Sequence, residues 1–278
     1  MRFTKMQGLG NDYLYVNLFE ERVEDPSALA ARLSDRHFGV GGDGLVLIAP
    51  SGAADFRMEM YNADGSRGAM CGNASRCVAK YVYERGLTRK TDLLLETDSG
   101  VRALHVSVRD GKVTGVRVDM GAPSFSCGEI PCLLAKDEAV RAPIKALGRT
   151  FEVTALSMGN PHAVIFLDEP VDGFDLRAYG PAIETSAAFP DRVNVEFVSV
   201  LSPQRLRMRV WERGSGVTLA CGTGACAAFA AARRLGLVGE RAEVILDGGT
   251  LLIERDERTG HLLMSGPAEF VFDGTVEI

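Results

Sequence analysis

The chain has no basic excess to offer a nucleic-acid backbone. Its 31 Lys and Arg stand against 37 Asp and Glu, for a net charge of −6, and the positive side chains are scattered along the sequence. A nucleic-acid partner is excluded on that ground. Long apolar runs are missing too: none approaches the roughly eighteen residues that a spanning helix needs. The opening Met1-Arg-Phe-Thr-Lys-Met-Gln-Gly has no long apolar stretch of the kind a secretory signal carries. No membrane partner is expected, and the cytoplasm is the expected compartment. The six cysteines, at 71, 77, 127, 132, 221 and 226, form no C-x-x-C pair and have no H-x-x-x-H to join, so no zinc site or other metal is expected. In a cytoplasmic chain they should be free thiols. What remains, 46% apolar and 24% charged residues in 278, is an ordinary globular composition, long enough for two domains of about 140 residues each.

What is present is a repeat. Phe56-Arg-Met-Glu-Met-Tyr leads to Met70-Cys71-Gly72-Asn73, and Leu206-Arg-Met-Arg-Val-Trp leads to Ala220-Cys221-Gly222-Thr223. Subtracting 71 from 221 gives a register of 150, which also pairs Arg57 with Arg207, Met58 with Met208, Gly86 with Gly236 and Leu87 with Leu237. Upstream, Gly10-Asn11-Asp12-Tyr13 opens the apolar run Leu14–Leu18, and Gly159-Asn160-Pro161-His162 opens Ala163–Leu167, a turn followed by a strand in each half.

A capped helix follows each unit, with Asp25 before Pro26 in the first half and Asp175 before Leu176 in the second. Strands are expected at Leu45–Ile48 and Val195–Val200, then at Phe56–Tyr61 and Leu206–Trp211, where polar and apolar residues alternate. After each Cys-Gly comes a helix, Asn73–Arg85 or Thr223–Leu235, ended by Gly86 or Gly236 at the left-handed C′ position. The second of these is apolar on every side for nearly three turns, which suits a helix enclosed by sheet. Each half closes in strands, Leu93–Glu96, Val101–Val108 and Val113–Asp119, then Val244–Leu246, Leu251–Glu254 and His261–Met264. Domains of residues 1–119 and 120–264 follow. The final Glu269-Phe-Val-Phe has no counterpart left in the repeat and is expected to complete a sheet, so 265–278 joins the first domain.

A single cysteine is more often a small buried hydrophobe than a catalyst, and Cys77, Cys127, Cys132 and Cys226 are read that way. Cys71 and Cys221 differ because each occupies the same repeat position, precedes Gly, and starts a helix whose unpaired N–H groups favour a thiolate. Such a position can lower a thiol from about 8.5 to roughly 7 or below. The same helix starts, Gly72 with Asn73 and Gly222 with Thr223, are suited to hold a carboxylate. A carboxylate held between them has its α-carbon between two sulfurs, the geometry of a two-base racemase or epimerase, with the thiols roughly 6–7 Å apart. No cofactor is called for. His162, after Asn160-Pro161, projects from a strand end and is read as functional, whereas His37, His105 and His261 are read as structural. Glu212 is placed to polarise a thiol or bind an ammonium, and Arg213 to take a second carboxylate. Gly39-Val-Gly-Gly-Asp-Gly44 satisfies G-x-G-x-x-G, but a helical segment precedes it and a strand follows, the reverse of the dinucleotide fingerprint.

The strings Gly8-Leu-Gly-Asn11-Asp, Asn62-Ala-Asp-Gly-Ser, Met70-Cys-Gly-Asn73, Gly159-Asn160-Pro-His162, Arg192-Val-Asn194-Val, Trp211-Glu-Arg-Gly and Ala220-Cys-Gly-Thr-Gly-Ala-Cys span residues 8 to 226 in order. Together they resemble the diaminopimelate epimerase family, which works without pyridoxal phosphate. The resemblance implies an α+β fold of two pseudo-symmetric domains, each a mixed barrel-like sheet around a central helix, with the active site in the cleft between them. It implies cofactor-independent epimerisation of LL-2,6-diaminopimelate to the meso form, a step in lysine and peptidoglycan precursor biosynthesis, by a homodimer. Carried over by matching motif, Cys71 and Cys221 are the acid/base pair, with His162 assisting the first and Glu212 the second. Gly72, Asn73, Gly222 and Thr223 hold the reacting carboxylate, while Asn11, Asn62, Asn160, Asn194, Glu212 and Arg213 grip the distal end. One departure is Gly44, where many members carry Gln. Two alternatives stand beside this reading. A proline or hydroxyproline racemase usually has His where this chain has Asn73, and its substrate leaves Arg213 and the asparagines without a task. A thiol redox protein is marked by reversible oxidation of Cys71 and Cys221 with no exchange of solvent hydrogen into an amino acid.

Overall fold

The structure is a computed structural model and describes residues 1–277. In chain order the elements of the first part are β1 (Arg2–Gly8), β2 (Asn11–Asn17), α1 (Pro26–Ser34), β3 (Gly44–Ala49), β4 (Phe56–Asn62), β5 (Arg67–Gly68), α2 (Gly72–Glu84), β6 (Asp92–Thr97), β7 (Gly100–Arg109) and β8 (Lys112–Asp119). There follow β9 (Ala142–Ala146), β10 (Arg149–Ser157), β11 (Pro161–Phe166), α3 (Leu176–Glu184), β12 (Asn194–Ser202), β13 (Arg205–Glu212), β14 (Gly216–Thr218), α4 (Gly222–Arg234), β15 (Arg241–Leu246), β16 (Gly249–Arg255), β17 (Leu262–Gly266) and β18 (Glu269–Thr275). The chain is a mixed α+β protein dominated by strands. It divides into two compact units, Met1–Asp119 with the segment from Ser265 onward, and Met120–Met264.

Both units use one plan. In the first, β2 lies parallel to β3 and β4 parallel to β6, while the intervening pairs are antiparallel. In the second, β11 lies parallel to β12 and β13 parallel to β15. Parallel neighbours cannot be joined by a tight turn and need a crossover. Helices α1 and α3 make the first crossover of each unit, and α2 and α4 the second. The two Cys-Gly pairs therefore fall at the start of the second crossover helix in each unit.

The crossover helices α2 and α4 sit inside their sheets. α2 packs on β1, β2, β7 and β8, strands from opposite ends of the sheet, and α4 packs on β10 to β13, β15 and β16. Burial runs without a break from Gly72 to Val82 in α2, and from Gly224 to Ala232 in α4. The alanine-rich α4 combines high helix propensity with side chains short enough for strands to approach on every side. Gly86 and Gly236 take positive φ, 77° and 73°, and end the two helices as expected from sequence. Asp25 and Asp175 cap α1 and α3 through bonds from the Ala28 and Ala178 N–H groups.

One expectation needs correction. The final strand does have a repeat counterpart. β18 pairs antiparallel with β1 on the side away from β2, just as β9 pairs with β10 on the side away from β11. The repeat is permuted: the edge strand precedes its unit in the second half and arrives from the far end of the chain in the first. β1, β9 and β10 also have no equivalent in the sequence reading. The four consecutive buried residues of β1, Phe3–Lys5 with Met6, carry no alternation that would mark a strand.

Candidate active site

The first unit brings Cys71, Gly72, Asn73 and Asn11 together. Cys71 is the N-cap of α2 in extended conformation (φ −136°, ψ 121°), and its carbonyl accepts from the Ser75 N–H. The Cys71 thiol donates to Asn11 Oδ1 at 3.4 Å. The amide of Asn11 is held by Asp43, whose Oδ2 accepts from Nδ2 at 2.8 Å and from the Asp12 N–H at 3.1 Å. Burial raises the Asp43 carboxyl, and the nearby Asp12 charge adds to that rise. Asn73 is buried, with its Oδ1 accepting from Arg76 at 2.9 Å. Asn62 bonds to Ser66 across the hairpin at 2.9 Å.

In the second unit Cys221 is the N-cap of α4, also extended (φ −124°, ψ 111°), and its sulfur accepts from the Gly224 N–H at 3.4 Å. Thr223 Oγ1 lies 3.5 Å from the sulfur and 3.3 Å from Asn160 Nδ2. Glu212, at the end of β13, accepts a bond from Thr218, and its charge acts on the Cys221 thiol. Cys221, Thr223, Asn160, His162 and Glu212 thus form one connected group. Arg213 stands apart, with its backbone N–H on Asn194 Oδ1 and its guanidinium on the Asp191 carbonyl. Both ends of the Asn194 amide are occupied by backbone, since Nδ2 donates to the Pro161 carbonyl at 2.9 Å. In this state Asn194 braces the loops that carry His162 and Arg213.

The lowered thiol expected at a helix start is not what Cys221 has. Burial pushes this thiol well above its ordinary value, and the charges of Glu212 and Glu196 push the same way. Bonds from Thr223 and the Gly224 N–H oppose them and are outweighed. Desolvation of an anion exceeds what a partial helix charge and two donors return. Burial likewise raises the Glu212 carboxyl, and the bond from Thr218 opposes that rise.

Several residues here are absent from the sequence reading. Glu196 is fully buried on β12, 2.7 Å from His162 Nδ1. Its signal was a lone carboxylate inside the apolar run Val195-Glu-Phe-Val. Asp43, in the glycine-rich segment set aside as a false nucleotide fingerprint, orients Asn11. Arg76 is fully buried on α2, bonded to Asn73 and to the Gly72 and Pro267 carbonyls. The parallel registers place Gly44 opposite Tyr13 and Asn194 opposite His162, so Gly44 and Asn194 are repeat mates. A Cβ on Gly44 would lie 2.0 Å from the Tyr61 carbonyl oxygen, and no side chain fits this backbone. Among the described residues no group of three His, Cys, Asp or Glu is arranged to hold a metal, and no helix is long and apolar enough to cross a membrane.

The model of the diaminopimelate epimerase family matches residues 3–126 and 154–271, covering both cysteine-led helices. The chain belongs to the diaminopimelate epimerase family. A family member from Acetivibrio thermocellus is 52% identical over 278 residues, covering 100% of this chain and 99% of that one. Another from Methanococcus maripaludis is 48% identical over 278 residues, covering 100% of both. Among solved structures, a probable proline racemase from Agrobacterium radiobacter superposes with a TM-score of 0.70 at 16% identity, covering 100% of this chain and 93% of that one. A phenazine biosynthesis protein of the PhzF family from Bacillus anthracis gives 0.68 at 15%, covering 100% and 99%. These likenesses establish that the epimerase shares its two-unit fold with proteins of other named activities.

Proposed function

We propose that this protein is a cofactor-independent isomerase that interconverts LL- and meso-2,6-diaminopimelate in lysine biosynthesis, using Cys71 and Cys221 as its two acid/base groups. The observation that carries the reading is the occurrence of both cysteines as N-caps at the same station of two units built alike, each beside backbone N–H groups suited to a carboxylate. One thiolate removes the α-proton from one face, and the opposite thiol returns a proton to the other. Electrons of the broken C–H bond pass into the carboxylate held at the helix starts and return as the new C–H bond forms. Glu212 takes the proton of Cys221 when that sulfur acts as base, and His162 assists Cys71. Gly72, Asn73, Gly222 and Thr223 hold the reacting carboxylate. Asn11, Asn62, Asn160, Asn194, Glu212 and Arg213 take the distal amino-acid end, which demands amides for the neutral contacts, an acid for the ammonium and Arg213 for the carboxylate.

This chemistry requires one sulfur on each face of the α-carbon. A cytoplasmic homodimer is proposed on the family resemblance, and sedimentation velocity of the purified protein tests the dimer. For the activity, the purified protein under reductant and without added cofactor is incubated with LL- or meso-diaminopimelate in D₂O. Deuterium is expected at the α-carbon, together with formation of the other isomer. Absence of exchange would rule out the reading, and full activity of Cys221→Ala would rule out the two-thiol scheme. Asn73 in place of His argues against a proline racemase, and that alternative predicts exchange into proline instead.

A further inference from the structure

We propose that Glu196 is a positioning residue that keeps His162 doubly protonated, and thereby sets the direction of a hydrogen-bond chain that ends at the Cys221 sulfur. The inference rests on the reading of Cys221 as an acid/base residue. Both residues are completely buried. Both ring nitrogens of His162 face oxygen: Nδ1 is 2.7 Å from Glu196 Oε1, and Nε2 is 2.9 Å from Asn160 Oδ1. Two acceptors call for two N–H donors, the imidazolium form. Glu196 supplies the reason for that charge, because its other oxygen, Oε2, is buried without a hydrogen-bond partner. A carboxylate taken out of water with one contact needs a cation there, and His162 is that contact. The fold itself does not ask for an acid. The repeat mate of Glu196, 150 residues earlier, is the fully buried Val46 on β3.

The proton on Nε2 decides the rest of the chain. With Nε2–H donating to Asn160 Oδ1, the Asn160 amide must point Nδ2 at Thr223 Oγ1, 3.3 Å away. That oxygen then accepts from Asn160, and its own hydrogen is free to point at the Cys221 sulfur, 3.5 Å away. Were Nε2 bare, the amide would turn over, donate to the ring and take the Thr223 hydrogen for itself. The sulfur would lose a donor. Burial opposes ionisation of this sulfur, and the negative charges of Glu212 and Glu196 oppose it further. The Thr223 hydroxyl and the Gly224 N–H are the donors that favour the thiolate. Glu196 therefore acts on Cys221 in two opposed ways, directly through its charge and indirectly through His162, Asn160 and Thr223.

That opposition makes the test a question of sign. Protein labelled with ¹⁵N-histidine, with His162 assigned by loss of its signals in His162→Gln, is expected to show both ring nitrogens protonated at neutral pH. A bare nitrogen in wild-type protein overturns the proposal. In Glu196→Gln the iodoacetamide reactivity of Cys221, followed by peptide mass spectrometry across pH, is expected to move upward by about one pH unit, or about tenfold slower alkylation near neutrality. Simple removal of a neighbouring negative charge predicts the reverse. An unmoved or lowered profile overturns the proposal, as does a further upward shift when Glu196→Gln is added to Thr223→Val, since the chain then cannot run through Thr223. Should Glu196→Gln fail to fold, the wild-type ¹⁵N measurement decides alone. No substrate is used in any arm, so these results are independent of the exchange experiment.

Discussion

The chain's only tryptophan reports on the loop that carries Glu212 and Arg213. Trp211 Nε1 donates to Glu184 Oε2 at 2.6 Å, and the Gly214 N–H donates to Glu184 Oε1 at 3.0 Å. Glu184 is buried at the end of α3, so one carboxylate holds the indole on one side of the loop and its backbone on the other. Bonds to a charged acceptor contribute about 1.5–3 kcal/mol each, and an N–H left unpaired costs about 1–3 kcal/mol. Trp211 is only partly buried, so water can reach a freed indole, and relief of carboxylate burial offsets more of the loss. Glu184→Ala should therefore cost about 3 kcal/mol. At about 2–4 °C per kcal/mol for a chain this long, Tm falls by about 6–12 °C. Tryptophan emission should shift to the red as the indole becomes wetter. Loosening the loop should also lower kcat/KM by about 10–100-fold through misplacement of Glu212. Glu184→Gln, which keeps one acceptor, should fall between. A variant with wild-type Tm and unchanged emission would refute the claim that this carboxylate holds the loop.

Gly224→Ala places a Cβ 2.8 Å from Glu196 Oε1 and 3.2 Å from the Cys221 sulfur, and neither neighbour is free to retreat. It should cost about 1–3 kcal/mol of stability and at least about tenfold in kcat/KM, both read from one preparation by melting and steady-state assay. Cys77 is fully buried, and burial pushes its thiol up to about 11. A folded-state value above the unfolded one means the unfolded chain loses its proton first, so the contribution is intact below the ordinary thiol range and is lost as pH rises toward 11. The loss is on the order of 3 kcal/mol, so the urea midpoint should drop between about pH 8 and pH 10.5, and drop less in Cys77→Ala. Arg213→Ala should weaken transition-state binding by about 2–5 kcal/mol if the guanidinium meets a desolvated carboxylate. A near-normal kcat/KM would remove Arg213 from the site.

What the sequence determined by itself is what local chemistry encodes. The capped helices, the glycine stops, the paired Cys-Gly helix starts and their 150-residue register depend on neighbours within a few positions, and they stand in the structure where pattern placed them. The diaminopimelate epimerase family was legible for the same reason, through short strings in fixed order. Tertiary structure decided three other things. It paired β18 with β1, because strand partners are chosen across space and the repeat is permuted along the chain. It made Cys221 reluctant to ionise, because desolvation and two nearby carboxylates depend on what surrounds the helix start rather than on the helix. It also turned Glu196 from an anomaly in an apolar strand into the partner of His162, since a buried charge can be judged only once its counter-charge is in view.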